Sequence, residues 1–319
     1  MNSLQISTRD VVLDKYATGI YATTEVRCLC GNGGGQLIAE RDRYGLPSPS
    51  VLCRQCGVVR TSPRLTDSSL GAFYDTDYRP LYDGSIGARN DFLELQRARG
   101  LNIMHFVTRF LPAGSRVADL GCGAGWTLIP FRDAGHEVAG CDLGSTYLEA
   151  GRTLGLDLRH GDYTTLSDLA PFNLIILSHV FEHLPNPQEL MKGILPLLAA
   201  DALVYIEVPG LRGIPMAFGD PLRYFQNAHL WNFDLGTLTA TLADYGYRRV
   251  AGNEFIRSVF TPDPTAVAAD SGGYDRAVKA LALAERTRLV SDSLRAAKSA
   301  TRHALGPRRA SKLRRAITR

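Results

Sequence analysis

Residues 115–125 read SRVADLGCGAG, a short apolar run followed by glycines at positions 121, 123 and 125. A chain that makes this transition leaves a strand through a tight turn of bare backbone, where glycine allows left-handed geometry and close approach of a ligand. Further apolar runs follow: HEVAGCDL (136–143), FNLIILS (172–178) and ALVYIEVPG (202–210). Segments with helical periodicity separate them, beginning with LNIMHFVTRFL before the first run. Wholly apolar strands alternating with helices imply a mostly parallel sheet covered on both faces, an α/β architecture of Rossmann-like type. FDLGTLTATLADYGYRRV then offers Asp234 as a helix cap, Gly246 as the stop and a strand beyond, with NEFIRSVF as a last strand.

The remaining 58 residues after Thr261 read as a linker, a helix with spaced apolar positions and a basic end. From Arg295 to Arg319 there are nine Lys/Arg and no Asp/Glu, which leaves 27 basic against 32 acidic residues elsewhere, a balance of −5. A mildly acidic body is poorly suited to wrapping nucleic acid. The tail, with Val290, Leu294, Ala297 and Ala304 on one helical face and Arg308, Arg309, Lys312, Arg314 and Arg315 supplying charge, suits peripheral attachment to an anionic membrane surface. With no charged start followed by an apolar run and no membrane-length apolar stretch, the expected location is the cytoplasm, with the tail reaching a membrane from that side.

Cys28, Cys30, Cys53 and Cys56 form two turns, RCLCG and LCRQCG, separated by a segment of hairpin length. Four thiolates so spaced satisfy a tetrahedral Zn²⁺ and staple a segment too small to bury its own core, so a structural zinc ribbon is expected, with Cys28-x-Cys30 one residue tighter than usual. The chain therefore divides into a ribbon segment (1–60), a connector (61–97) in which Tyr74, Tyr78 and Tyr82 recur every four residues, an α/β domain (98–261), and a linker with a basic helical tail (262–319). Pro80 argues against one continuous helix through those tyrosines.

Two motifs compete for the chemistry. His179-Val-Phe-Glu182-His183 has the spacing of a zinc metalloprotease, but it follows the apolar run FNLIILS and so falls on a strand-to-helix bend, where the two histidines do not share a helix face. A zinc hydrolase is rejected on that ground. Glu182 and His183 are expected to cap and brace the bend, while His179 lines the cofactor pocket. A catalytic metal there is the lesser alternative, because His179 stands where a related metal-binding motif, Glu-x-x-Glu-His, has glutamate. The glycine loop competes with the dinucleotide fingerprint G-x-G-x-x-G, whose third glycine position is Trp126 here.

Asp119-x-Gly121-x-Gly123-x-Gly125, with Asp142 closing the next strand, Asp162 in RHGDY and HVFEHLPNP after the following strand, resembles the class I S-adenosylmethionine-dependent methyltransferases over about residues 100–256. The resemblance implies a seven-stranded sheet and S-adenosylmethionine as cofactor. It assigns Asp119, Gly121, Gly123, Gly125, Asp142, Leu143, Asp162, Tyr163, Ser178 and His179 to the cofactor, Asp142 through the ribose hydroxyls and Asp162 beside the adenine. The order of ribbon, tyrosine-rich connector and methyltransferase core resembles bacterial sugar and surface-polysaccharide methyltransferases, including C-methyltransferases of nucleotide-linked deoxysugars. That implies O- or C-methylation of a small acceptor such as a nucleotide sugar or glycan precursor. RNA methyltransferases with an N-terminal zinc site, and a non-catalytic binding protein on the same fold, are the alternatives. The acceptor is expected under DPLRYFQNAHLWNF (220–233), which carries Arg223, Tyr224, Asn227, His229 and Trp231. His229 is the expected general base, with His179 as the second catalytic candidate.

Overall fold

The computed structural model describes residues 1–85, 90–217, 220–268, 272–290 and 292–293. Helix α1 (Ser3–Ala17) starts behind a capping box, Asn2 Oδ1 accepting from the Gln5 N–H and Gln5 Oε1 from the Asn2 N–H. Strands β1 (Thr23–Thr24), β2 (Gln36–Arg41), β3 (Pro47–Leu52), β4 (Val59–Thr61) and β5 (Arg64–Leu65) follow, then α2 (Asp67–Thr76) and α3 (Tyr78–Tyr82). The break at Asp77 ends one helix before Pro80 enters the next, as the proline requires.

The α/β part runs α4 (Asn90–Val107), β6 (Arg116–Leu120), α5 (Ile129–Asp133), β7 (Glu137–Asp142), α6 (Ser145–Arg152), β8 (Asp157–His160), β9 (Phe172–Ser178), α7 (Pro187–Gly193), β10 (Leu198–Glu207), α8 (Ile214–Ala217), β11 (Trp231–Asn232), α9 (Leu235–Asp244), β12 (Tyr247–Gly252) and β13 (Arg257–Pro262). Seven strands form one mixed sheet in the order β12-β13-β10-β9-β6-β7-β8. The five strands from β10 to β8 are parallel, and β13 runs antiparallel to both its neighbours. The apolar runs explain the sheet's position in the molecule. Along β9, Leu174 and Ile176 join one buried cluster while Ile175 and Leu177 join another, so alternate side chains enter cores on opposite faces. Full burial of each such side chain contributes roughly 1.5–3 kcal/mol.

The chain runs from β6 outward to β8, then crosses back to β9 beside β6. The carboxyl ends of β6 and β9 thus flank the point where the winding reverses, which is where open α/β sheets take their ligands. Asp234 caps α9 by accepting from the Thr237 N–H at 2.7 Å, and Gly246, at φ +84°, ends it, as the sequence predicts.

Two features depart from the expected division of the chain. Strand β11, from the 220–233 loop, pairs with β4 and completes a four-stranded sheet β11-β4-β3-β2, so the cysteine-bearing segment is sewn to the α/β part. The closing helix is also docked over residues 273–290: Ala277 and Ala284 are buried in one cluster with Leu52, Val59, Tyr224 and Phe225. The tail begins later than expected because small alanine side chains let this helix lie close on the ribbon sheet. The charged residues of the expected membrane-binding tail, and Leu294, Ala297 and Ala304, lie outside the described residues; Val290 is described and exposed. Among the described residues no helix is long and apolar enough to cross a membrane.

Candidate active site

Beyond Leu120 the chain turns through Gly121, Gly123 and Gly125 at φ +74°, +56° and +71°. A Cβ at Gly121 would stand 2.6 Å from Val180 Cγ2, and one at Gly125 would stand 2.8 Å from Leu158 Cδ1. Space as well as backbone angle therefore demands glycine at both positions. Asp142, at the end of the neighbouring β7, holds the loop: Oδ2 accepts from the Gly123 N–H at 2.8 Å and Oδ1 from the Gly144 N–H at 2.7 Å. Asp119 is buried below the loop, and burial, reinforced by the Asp142 charge, pushes its carboxyl up to about 8. Leu143 next to Asp142 is 76% exposed, an apolar side chain standing free where a flat ring could lie on it. The loop leads into a single 3₁₀ turn (Trp126–Leu128) and the short α5.

Other expected cofactor residues are placed less simply. Asp162 Oδ1 caps the turn after β8 by accepting from the N–H and hydroxyl of Thr164, and the Tyr163 ring turns away to lie over Gly193 in α7. Ser178 donates from Oγ to Glu207 Oε2 at 3.2 Å.

His179 follows β9 at φ +58°, a left-handed conformation rare for a residue with a side chain, held by its N–H donating to Glu207 O at 2.8 Å. A 3₁₀ turn (Phe181–His183) follows, so the His-x-x-Glu-His segment lies on a bend, as the sequence argument requires. The bend sets His179 Nδ1 3.3 Å from Glu182 Oε1 and leaves its side chain 33% exposed. Glu182 is 1% exposed, and beyond this contact neither carboxylate oxygen has a hydrogen-bond partner among the described residues. Burial raises its pKa, but His183, His179 and His229 outweigh that and hold it down to about 2. Glu182 spans the bend through His179, and its side chain is aimed inward toward the three histidines. His183 braces it as well, its Nδ1 2.9 Å from Ala228 O and 2.8 Å from the Tyr74 hydroxyl.

The acceptor-side loop differs from its expected form. Tyr224 is buried with its hydroxyl donating to Pro209 O, Trp231 donates from Nε1 to Leu184 O at 2.8 Å, and Phe233 packs on Phe181. Asn227 is buried, its Oδ1 accepting from Tyr16, and Arg223 is exposed. His229 is 5% exposed, its Nε2 4.0 Å from Glu182 Oε1, and its Nδ1 has no partner among the described residues. Burial, with His183 adding, pushes its pKa down to about 3. The expected base is thus a poor proton acceptor at neutral pH, because the packing that holds it also removes it from water. His179, half-exposed and backed by Glu182, has the better placement.

Around this cluster stand residues that single-segment reading passed over. Tyr74, Tyr78 and Tyr82 stack at 4.9 and 5.0 Å between centroids, and the first two lie edge-on to His183. The Arg43 guanidinium sits 4.8 Å from the Tyr44 ring centre and 5.1 Å from that of Tyr82. It is delivered by the β2–β3 hairpin, where Asp42 closes the turn by accepting from the Tyr44 and Leu46 N–H groups. The tyrosine spacing signals the ladder; the Asp42-x-x-Gly45 turn signals the hairpin but not what its tip approaches.

A glycine loop and acidic strand end at the reversal point of such a sheet define a nucleoside-type cofactor cleft. Residues 95–251 match a methyltransferase domain. The C-methyltransferase NovU of Streptomyces niveus is 26% identical to this chain over 228 residues, which is 68% of this chain and 51% of NovU. A ubiquinone biosynthesis O-methyltransferase of Maricaulis maris is 33% identical over 82 residues, 23% of this chain and 32% of its own length. The chain thus spans about half, or less, of the length of these two relatives. Among solved structures, an S-adenosylmethionine-dependent methyltransferase from Archaeoglobus fulgidus is 22% identical, with a TM-score of 0.41 over 54% of this chain and 73% of that one.

Apart from the methyltransferase domain's cleft, the cysteines form a second centre. Cys28 and Cys56 sulfurs lie 3.4 Å apart, those of Cys30 and Cys53 3.7 Å, and all four fall within 4.8 Å of one another. Four sulfurs at about 2.3 Å from one tetrahedral ion stand about 3.8 Å apart, so the arrangement fits such an ion. Burial pushes the Cys30 thiol up to about 11, whereas at Cys53 burial is outweighed by hydrogen bonds from the backbone and neighbouring thiols, which lower it.

Proposed function

We propose that this protein moves the methyl group of S-adenosylmethionine to an oxygen, or to a carbon acidified by a neighbouring carbonyl, on a small hydroxyl-rich acceptor such as a nucleotide sugar or glycan precursor. The observation that carries the reading is the half-exposed His179, directly beyond the switch point and backed by Glu182 at 3.3 Å. With Nδ1–H turned to the carboxylate, Nε2 is left as the proton acceptor. As the acceptor O–H or C–H gives its proton to Nε2, the new bond forms to the methyl carbon. The C–S bond breaks, and its electron pair stays on sulfur as S-adenosylhomocysteine. The sulfonium supplies the activation; the protein aligns the acceptor and excludes water.

The likeness to NovU, a C-methyltransferase, supports transfer to carbon and extends over more residues than the methyltransferase domain itself. Arg43 and the tyrosine hydroxyls would meet the acceptor's oxygens and any phosphate it bears. Cys28, Cys30, Cys53 and Cys56 would hold a structural zinc, which the sulfur spacing fits. The test is release of S-adenosylhomocysteine from the purified chain against nucleotide sugars, glycan fragments and RNA. His179→Ala should lower kcat by about 10²–10⁴-fold while S-adenosylmethionine affinity holds. Normal turnover by that variant would remove His179 as the base, and preferential methylation of RNA would overturn the acceptor class.

A further inference from the structure

Among the described residues, ligating atoms converge in two places: the four cysteines, and Glu182 with His183 and His229, whose ligating atoms lie within 4.8 Å of one another. We infer that Glu182, His183 and His229 form a binding site for one divalent first-row transition ion, separate from the thiolate centre. Glu182 Oε1 lies 3.8 Å from His183 Nε2 and 4.0 Å from His229 Nε2. Two ligands each about 2.1 Å from a common ion stand about 3.0–3.5 Å apart, so shifts of a few tenths of an ångström close the site.

The hydrogen bonding argues the same way. Ala228 O can only accept, so His183 Nδ1 carries the proton and Nε2 presents its lone pair to the carboxylate. A ligand imidazole is ordinarily fixed in this manner, by a backbone carbonyl on the nitrogen away from the ion. Tyr74 lies on the same outer nitrogen at 2.8 Å, and the peptide of Leu230, next to His229, is fixed by its N–H donating to Glu182 O. Inside this frame the nearest partner of the carboxylate among the described residues is His179 Nδ1 at 3.3 Å from Oε1, and His229 Nδ1 has no hydrogen-bond partner there, although Glu182 and His229 are both more than nine-tenths buried. One contact of that length leaves most of the carboxylate's acceptor capacity unmet, and an ionised carboxylate so buried costs several kcal/mol unless a cation or further donors meet it. Two imidazoles and one carboxylate are the donor set of Mn²⁺, Fe²⁺, Co²⁺ or Zn²⁺ sites with open positions. His179, beside Glu182 and part-exposed, marks the side on which those positions face the cleft.

Binding of the ion does not depend on what is methylated. Its role does, and here the inference rests on the proposed methyl transfer: an acceptor oxygen on the open face would be polarised as His179 takes its proton.

The experiment uses the full chain with its thiolate centre first filled with Zn²⁺ and then titrated with Co²⁺. One further Co²⁺ per chain is expected, with weak visible bands and no sulfur-to-cobalt charge transfer in the near ultraviolet. Glu182→Gln should weaken it beyond about 100-fold, more than the loss of an outer-shell partner does. His229→Gln provides the same test should Glu182→Gln misfold, and S-adenosylmethionine binding by each variant reports folding. No cobalt beyond the thiolate centre, or equal uptake by folded variants, overturns the site. Methyl transfer is followed on the same samples. Turnover without cobalt uptake refutes the site and spares the methyltransferase reading, whereas cobalt uptake without turnover on any acceptor upholds the site and removes its proposed role.

Discussion

The two walls of the cleft are built in opposite ways. The cofactor wall comes from one stretch of chain, Asp119 to Gly144, and its key hydrogen bonds run from main-chain N–H groups to a single carboxylate, Asp142. The proposed acceptor wall gathers the side chains of Arg43, Tyr74, Tyr78, His179, Glu182, His183 and His229 from separate elements. A bare-backbone cradle must be contiguous, because glycines work only in one continuous turn. A side-chain wall needs no such continuity, and its members depend on one another's packing.

The largest effect expected on the cofactor wall is a pH dependence. The folded chain keeps on Asp119 a proton up to about 8 that the unfolded chain releases near 4, so stability contributed by this group falls as pH rises through that window. The slope is at most about 1.4 kcal/mol per pH unit. Thermal unfolding of the cofactor-free protein should show Asp119→Asn losing less stability than wild type between pH 5 and pH 8, about 5–8 on the scale over which the proton is held. Parallel curves would show that Asp119 is already ionised. Next in size, Asp142→Ala should weaken S-adenosylmethionine by about 1–3 kcal/mol, read by calorimetry, with kcat at saturating cofactor nearly intact. An equal loss in kcat would mean that the two walls are coupled. The smallest effect belongs to Tyr74→Phe, which removes one outer contact of His183. It should cost about 0.5–1.5 kcal/mol of stability and leave cofactor affinity unchanged. A loss of cofactor binding there would erase the contrast between the walls.

The same contrast decides what could be read from the sequence. The sheet, the glycine loop, Asp142 and the α9 cap were legible because each rests on local pattern: apolar period, turn chemistry, a capping residue three positions before its donor. The four cysteines were legible as a group because their ligand chemistry is written in their spacing. His229 was found but misjudged. It is packed against His183 and Glu182 of the bend and held by the Thr61 hydroxyl of β4, none adjacent in sequence. Arg43 stayed hidden for the same reason, and the docked start of the last helix was hidden because alanines at a packing face look like alanines on an exposed one.

The pairing of Trp231 with Arg60 and of Asn232 with Val59 has a consequence for anyone recombining such enzymes. A chimera that exchanges the first 60 or so residues for those of a relative would strip β11 of its edge partner two residues from His229. Grafts intended to alter acceptor choice should therefore carry the 220–233 loop with the front segment as one heritable cassette, leaving the glycine-loop half of the cleft in place.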